Sequence, residues 1–382
     1  MSDVSPKKLT IPDLPDEICL EIFKCCDTKT IFKVKATSYY WKETLSSYEF
    51  ASEVSKKWLT KGCSIVSHYG FTNKPNSSSD WAMNMDAIYG EAHKINLPMV
   101  IGEQGSFRIV GIENGIFCFR YSIEGEISYL LAWNPADRST KVIPDPPKHF
   151  CKRCSFLYTF GYFPDSVHYG IIHLFKKKPS HKTWSLTMYS SLEQNWGPTL
   201  TCPNYVRNLD PNYVSLDGVI YWMKWREDGD KSPPYIVSFS MLNFNFRQII
   251  ILDEVSTNYL GLLIHAGKLC VGATNYDQET YLSNIWEITN IEESPVWNKL
   301  FTYNGHGNPY LPAIFIDDDI IQVLERYYQI PEEPTMKFTI FHITRLKPME
   351  QLRYSLKWIE YDDFVRLRSF FTYFESAFPV AG

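Results

Sequence analysis

Apolar and polar positions fall into two textures along this chain. Over residues 11–60 the apolar positions recur at helical spacing. Leu14-Pro15-Asp16-Glu17 reads as a helix start, because proline suits the first helical position and two carboxylates meet the positive end of the dipole. Ile18, Ile22, Phe23 and Cys26 then give that helix one oily face. Asp27 or Thr28 caps a second helix, in which Ile31, Phe32 and Val34 are apolar while Lys29, Lys33 and Lys35 stay wet. Thr37 or Ser38 caps a third, with Trp41, Leu45 and Tyr48 on one side. A last helix runs through FASEVSKKWL with Phe50, Val54, Trp58 and Leu59 facing inward, and Gly62 ends it.

From about residue 95 the texture changes to short strands separated by turn signals. Three hairpins share one grammar: FRIVGIENGIFCFRY turns at Asn114-Gly115, NYVSLDGVIYWMKW at Asp217-Gly218, and GLLIHAGKLCVGA at Ala266-Gly267. Asn-Gly and Asp-Gly supply the positive φ values of a two-residue hairpin turn. A fourth hairpin is expected in PAIFIDDDIIQVLE, turning around Asp317–Asp319. Trp-bearing strands lie between them in LLAWNP, TWSLTMYSS and NIWEI, and IVSFSMLNFNFRQIII is a further strand stretch. Repeated units of this kind favour a β-propeller, whose blades bury their faces against each other, over a large two-sheet sandwich. The expected fold is mainly β with a small N-terminal α block.

A helical block this short seldom holds itself together, since units under roughly 70 residues usually need a disulfide, a metal or a partner. Its oily face therefore predicts docking, with another protein's helices completing the core.

Composition narrows the classes. Of 382 residues, 45% are hydrophobic and 16% aromatic, ample for a core. A formal net charge of -5 gives no global field for nucleic acid or an anionic membrane. No apolar run approaches the roughly 18 residues of a membrane span. The N-terminus, MSDVSPKKLTIPDLPDE, lacks the apolar segment of a signal peptide. Nine scattered cysteines then read as reduced thiols of the cytoplasm or nucleus.

The residues of the block resemble an F-box. The resemblance rests on Leu14-Pro15-Asp16-Glu17-Ile18, Glu21-Ile22-Phe23, Lys29-Thr30-Ile31-Phe32-Lys33-Val34-Lys35, Ser38, Trp41 and Tyr48-Glu49-Phe50. The chain departs from that pattern at Cys25-Cys26 and at Tyr40. Farther on, IVGIENGIFCF, LLAWNPADRSTKVIPDPP, FGYFPDSVHYGIIHLF, VSLDGVIYWM, IVSFSMLNFNFRQI, NIWEI and YFESAFPV follow the order of motifs in the plant F-box-associated domain, a β-propeller or kelch-like interaction domain. Phe163, His168, Gly170 and Tyr221 depart from that pattern and are expected at surface or turn positions.

Other signals carry less. His149, Cys151 and Cys154 make half a zinc site, and nothing positions Cys202 as a fourth ligand, so ordinary thiols are expected. Lys176–Lys182 is read as a solvated hairpin loop rather than an anion patch or localisation signal, and Asp317–Asp319 as a polar turn rather than a calcium site. No phosphate loop, nucleophile elbow or dinucleotide fingerprint is present.

The expectation is a disordered start at 1–10, a three-helix F-box domain within 11–60, and a β-propeller-like recognition domain over 61–380. The resemblance implies a non-catalytic substrate-recognition subunit of a Skp–cullin–F-box ubiquitin ligase, with no cofactor and no metal. Its partners would be a Skp-type adaptor, through it a cullin scaffold, and an unidentified substrate protein, with no nucleic acid or membrane. Leu14, Pro15, Ile18, Ile22, Phe23, Ile31, Val34 and Trp41 are the expected adaptor-binding residues or the fold beneath them. Two rivals are a stand-alone propeller that binds protein or carbohydrate, capped by the helices, and a propeller enzyme with carboxylates or histidines converging in its channel.

Overall fold

The computed structural model describes residues 14–59, 64–71, 81–86, 92–94, 98, 105–123, 128–146, 156–176, 183–224, 233–252, 255, 259–277, 280–306, 308–309, 314–315, 320–327, 335–342, 347–355, 365–373 and 376–380.

The helical block contains α1 (Asp16–Phe23), α2 (Thr28–Lys35), α3 (Tyr39–Thr44) and α4 (Tyr48–Leu59). Local chemistry sets each start. Pro15 opens α1, and its carbonyl accepts from the amides of Ile18 and Cys19. The Asp27 carboxylate caps α2 by accepting from the Thr30 amide at 2.6 Å, and the Ser38 hydroxyl caps α3 by accepting from the Trp41 amide at 3.2 Å. The spacing of Trp41, Leu45 and Tyr48 predicts a third helix that reaches Tyr48. Instead Ser47 caps a fourth helix, its hydroxyl accepting from the Phe50 amide at 3.3 Å, and Tyr48 is that helix's first residue.

The remaining described residues form six antiparallel sheets, the blades of a propeller. Blade II is Gly105–Glu113, Ile116–Ile123, Ser128–Trp133 and Thr140–Pro144. Blade III is Phe156–Tyr162, Tyr169–Phe175 and Ser185–Ser190, with Asn195–Trp196 and Leu200–Thr201 sharing its outer edge. Blade IV is Leu209–Leu216, Val219–Lys224, Tyr235–Ser240 and Phe246–Ile250. Blade V is Tyr259–His265, Lys268–Asp277, Thr280–Thr289 and Val296–His306. Blade VI pairs the short Asn308–Pro309 and Ile314–Phe315 with Ile320–Tyr327, followed by Thr335–His342 and Lys347–Ser355. Blade I joins both ends of the chain: Val365–Tyr373 pairs with Ser64–Phe71, followed by Trp81–Asp86 and Ala92–Lys94. The last strand thus closes the ring. The inner strands of blades I to V lie side by side in order, and Ile314–Phe315 of blade VI lies beside the first strand of blade V.

All three dipeptide turns occupy the same place, between the first two strands of their blades. Asn114-Gly115, Asp217-Gly218 and Ala266-Gly267 have φ values of 48° and 72°, 49° and 73°, and 49° and 68°, as a two-residue hairpin turn requires. The strands of the expected fourth hairpin pair in blade VI, while its turn lies outside the described residues. Gly218 is doubly constrained, because a Cβ there would sit 2.5 Å from the Pro164 ring of blade III.

The core lies between blades. Ile116, Cys118, Leu130 and Ile143 of blade II meet Phe160, Tyr162, Tyr169, Ile171 and Trp196 of blade III. Blades III and IV meet through Leu174, Leu186, Trp222, Val237 and Phe239. Blade III is packed on both faces, so every residue of Tyr169–Phe175 is buried. This corrects the expectation for two departures from the family pattern. Gly170 and Tyr221 are core positions, and a Cβ at Gly170 would lie 3.0 Å from the Met241 sulfur. No helix among the described residues is long and apolar enough to cross a membrane.

Candidate functional site

The helical block has two apolar faces with different fates. Ile31, Leu45, Phe50 and Val54 form its buried core, against which Phe23, Val34 and Trp41 are partly buried. Phe23 and Trp41 meet edge to face at 5.1 Å, joining α1 to α3. On the outer side, Leu14, Ile18 and Ile22 remain 47%, 48% and 46% exposed, and Pro15 is exposed beside them. Ile18 and Ile22 are one helical turn apart and share one face of α1, and Leu14 lies exposed just before the helix.

The eight expected adaptor-binding residues therefore separate. Leu14, Pro15, Ile18 and Ile22 are at the surface; Phe23, Val34 and Trp41 lie half beneath it. Ile31 is fully buried and belongs to the core, because α2 turns it away from solvent toward α4. The surface also carries Tyr39 and Tyr40, which sequence reasoning did not select. The signal was present in the unusual Tyr39-Tyr40-Trp41 run. Tyr40 donates to the Asp16 carboxylate at 2.8 Å, tying α3 to α1, and this bond raises the phenol's pKa.

Charged groups tie the helices to one another and to the tail. Lys24 lies 2.7 Å from Glu21 and 2.6 Å from Glu53, bridging α1 to α4, and its pKa is raised by those two bonds. Such exposed pairs fix geometry more than they add stability. Lys35, expected in water, is buried and donates to the Ala377 carbonyl at 2.7 Å. Burial pulls its pKa down to about 8.

In the propeller, ionisable groups are enclosed by aromatic surface. The Arg120 guanidinium lies 4.5 Å over Phe156 and 5.6 Å over Tyr158. His173 stacks on Tyr158 at 4.4 Å and on Phe175 at 4.8 Å. Burial, and then the Arg120 charge, pull its pKa down to about 3, so it stays neutral. Glu113, at the end of blade II's first strand, has its carboxyl pushed up to about 8 by burial. Cys202 is packed between blades III and IV with its thiol pushed up to about 12 by burial. His149, Cys151, Cys154 and Asp317–Asp319 lie outside the described residues, as does the basic run beyond Lys176. Lys176 itself sits 5.5 Å over the Trp184 ring. Among the described residues no cluster of His, Cys, Asp or Glu is placed to hold a metal.

Residues 73–308 match the F-box associated beta propeller domain, and residues 11–50 match the F-box-like domain. The chain belongs to the F-box associated beta-propeller family. Relatives of this F-box protein include F-box protein At4g19940 of Arabidopsis thaliana, 20% identical over 78% of this chain and 74% of that one. Putative F-box protein At1g12855 of Arabidopsis thaliana is 21% identical over 76% of this chain and 67% of its own length. Among solved structures, TolB from Acinetobacter baumannii superposes with a TM-score of 0.45 at 9% identity, covering 76% of this chain and 64% of that one. The β-propeller domain of the Trilobed protease from Pyrococcus furiosus gives a TM-score of 0.41 at 9% identity, covering 64% and 71%.

Proposed function

We propose that this F-box protein is the substrate-recognition subunit of a Skp–cullin–F-box ubiquitin ligase, working in the cytoplasm or nucleus. The F-box would dock to a Skp-type adaptor and through it to a cullin scaffold. The propeller would hold the protein to be ubiquitinated. Neither domain type is catalytic, so the chain's contribution is proximity, raising the effective concentration of substrate lysines near the charged enzyme.

The observation that carries this reading is the strip of Leu14, Ile18 and Ile22. It stays about half exposed while Ile31, Leu45, Phe50 and Val54 of the same block are buried. Buried aliphatic and aromatic anchors of this kind dominate protein interfaces.

The test is a pull-down of purified protein by a Skp-type adaptor, comparing wild type with Leu14→Ala/Pro15→Ala. We expect binding by the wild type, loss in the variant, and an unchanged thermal transition of the propeller. Absence of wild-type binding would sink the proposal. A free-standing binding module would then lead, a reading favoured by one contact: Ala51 of α4 is buried in the core between blades II and III.

A further inference from the structure

Ser376–Val380 follow the strand that closes the propeller ring. Ser376, Ala377, Phe378 and Val380 are all buried, enclosed between two bodies. On the propeller side, Asn134 of blade II donates to the Ser376 and Phe378 carbonyls at 3.1 and 3.0 Å. Tyr169 of blade III donates to the Val380 carbonyl at 3.1 Å, and the Phe378 ring meets Tyr162 at 5.4 Å. On the other side, Lys35 donates to the Ala377 carbonyl at 2.7 Å, and Tyr48 meets the Phe378 ring at 6.3 Å. Ala377 is itself a member of the helical core of Ile31, Leu45, Phe50 and Val54.

We infer that residues 376–380 are a strap that completes the core of the helical block only once the propeller ring has closed. The block is too short to hold a core unaided. One side of that core is supplied by the tail. The tail's seat is fixed by blade II and blade III, and its path is fixed by the strand before it, which pairs with Ser64–Phe71. A chain whose last strand is out of the ring has no strap in place over blade II. Formation of the docking block then reports that the recognition domain is finished. The strap is read mainly through its backbone carbonyls, and Ala377 is small because helical side chains close over it. This coupling holds whether or not an adaptor binds, so its test needs none.

Hydrogen exchange followed by mass spectrometry on the full chain and on a chain ending at Glu375 decides the matter. Peptides covering α2 and α4, which include the amides of Ile31 and Ala51, should exchange at least about tenfold faster without the strap. Peptides from Lys268–Asp277 in blade V should keep the rate they have in the full chain. Unchanged exchange in α2 and α4 overturns the inference. Equal loss in the helices and in blade V also overturns it, since the segment would then support the whole fold. If the shortened chain does not fold, Ala377→Phe in the full chain overpacks the helical side while leaving Asn134 and Tyr169 in place. The same selective loss is expected there, and undisturbed helices would again overturn the inference.

Discussion

Helices α1 and α4 belong to the same block and carry apolar residues at the same spacing, yet they end in opposite environments. Phe50, Ala51 and Val54 of α4 are buried, Ala51 against the propeller and the other two within the block. Ile18 and Ile22 of α1 face outward. Periodicity says that a face needs cover and leaves open what provides it. For α4 the cover comes from this chain, part of it from Ala377 and Phe378 of a tail far away in sequence. For α1 the chain covers Leu20 and Phe23 but leaves Ile18 and Ile22 about half exposed, and that asymmetry is the basis for assigning the outward strip to a partner.

The comparison is tested hardest at its buried end. Ile31→Ala removes a fully enclosed side chain from the core that α4 and the strap share. A loss of about 2–5 kcal/mol is expected, the usual range for an aliphatic side chain cut to alanine in a packed core. Urea denaturation followed by far-ultraviolet circular dichroism measures it. A loss near zero would mean that the block has no packed core in solution.

A second, smaller effect concerns the propeller beneath the block. Glu113 has no charged partner among the described residues, and it lies within electrostatic reach of Tyr162 and Tyr213. Its folded pKa is raised from 4.5 to about 8. Below the unfolded value both states are protonated and burial costs nothing extra. As pH rises from 4.5 toward 8 the unfolded chain releases the proton first, so stability falls across that window. The fall is on the order of 2 kcal/mol for a group that keeps partial exposure. Glu113→Gln should flatten this part of the stability profile measured by urea titration at several pH values. An unchanged slope would place the carboxyl in water.

Much of this architecture was legible in local chemistry. Asn114-Gly115 and Asp217-Gly218 announce their turns because few other pairs adopt two positive φ values at low cost. Asp27 and Ser38 announce helix starts because a short oxygen-bearing side chain satisfies a free amide. What could not be read is non-local. Blade number depends on which strand closes the ring, and blade I is assembled from strands near both ends of the chain, Ser64–Phe71, Trp81–Asp86 and Ala92–Lys94 with Val365–Tyr373. Lys35 reads as a solvated lysine because nothing near it in sequence reveals the Ala377 carbonyl. Asn134 of the WNP stretch and the YFESAFPV stretch are each recognisable alone, but only the fold brings them together. For the candidate site, the α1 strip followed from spacing. The exposure of Tyr39 and Tyr40 did not, since α3 has only 6 residues, less than two turns, and periodicity has little to act on.

The smallest expected change in stability is also the sharpest test of the comparison. Ile18→Ala trims a side chain that already stands about half in water. Surface substitutions away from caps and cores usually stay within about 0.5 kcal/mol. Alanine is in addition the better helix former, which offsets part of the lost contact. The free chain should therefore unfold at nearly the same urea concentration as wild type. Adaptor affinity, measured by titration calorimetry, should nonetheless fall by about tenfold or more, because an aliphatic anchor buried at an interface is worth well over 1 kcal/mol. The two readouts must separate for the assignment to stand. If Ile18→Ala destabilises the free chain as much as Ile31→Ala does, the strip is already covered within the chain and the contrast between α1 and α4 disappears. If neither stability nor affinity moves, the strip is exposed but idle, and the docking surface has to be sought around Tyr39 and Tyr40.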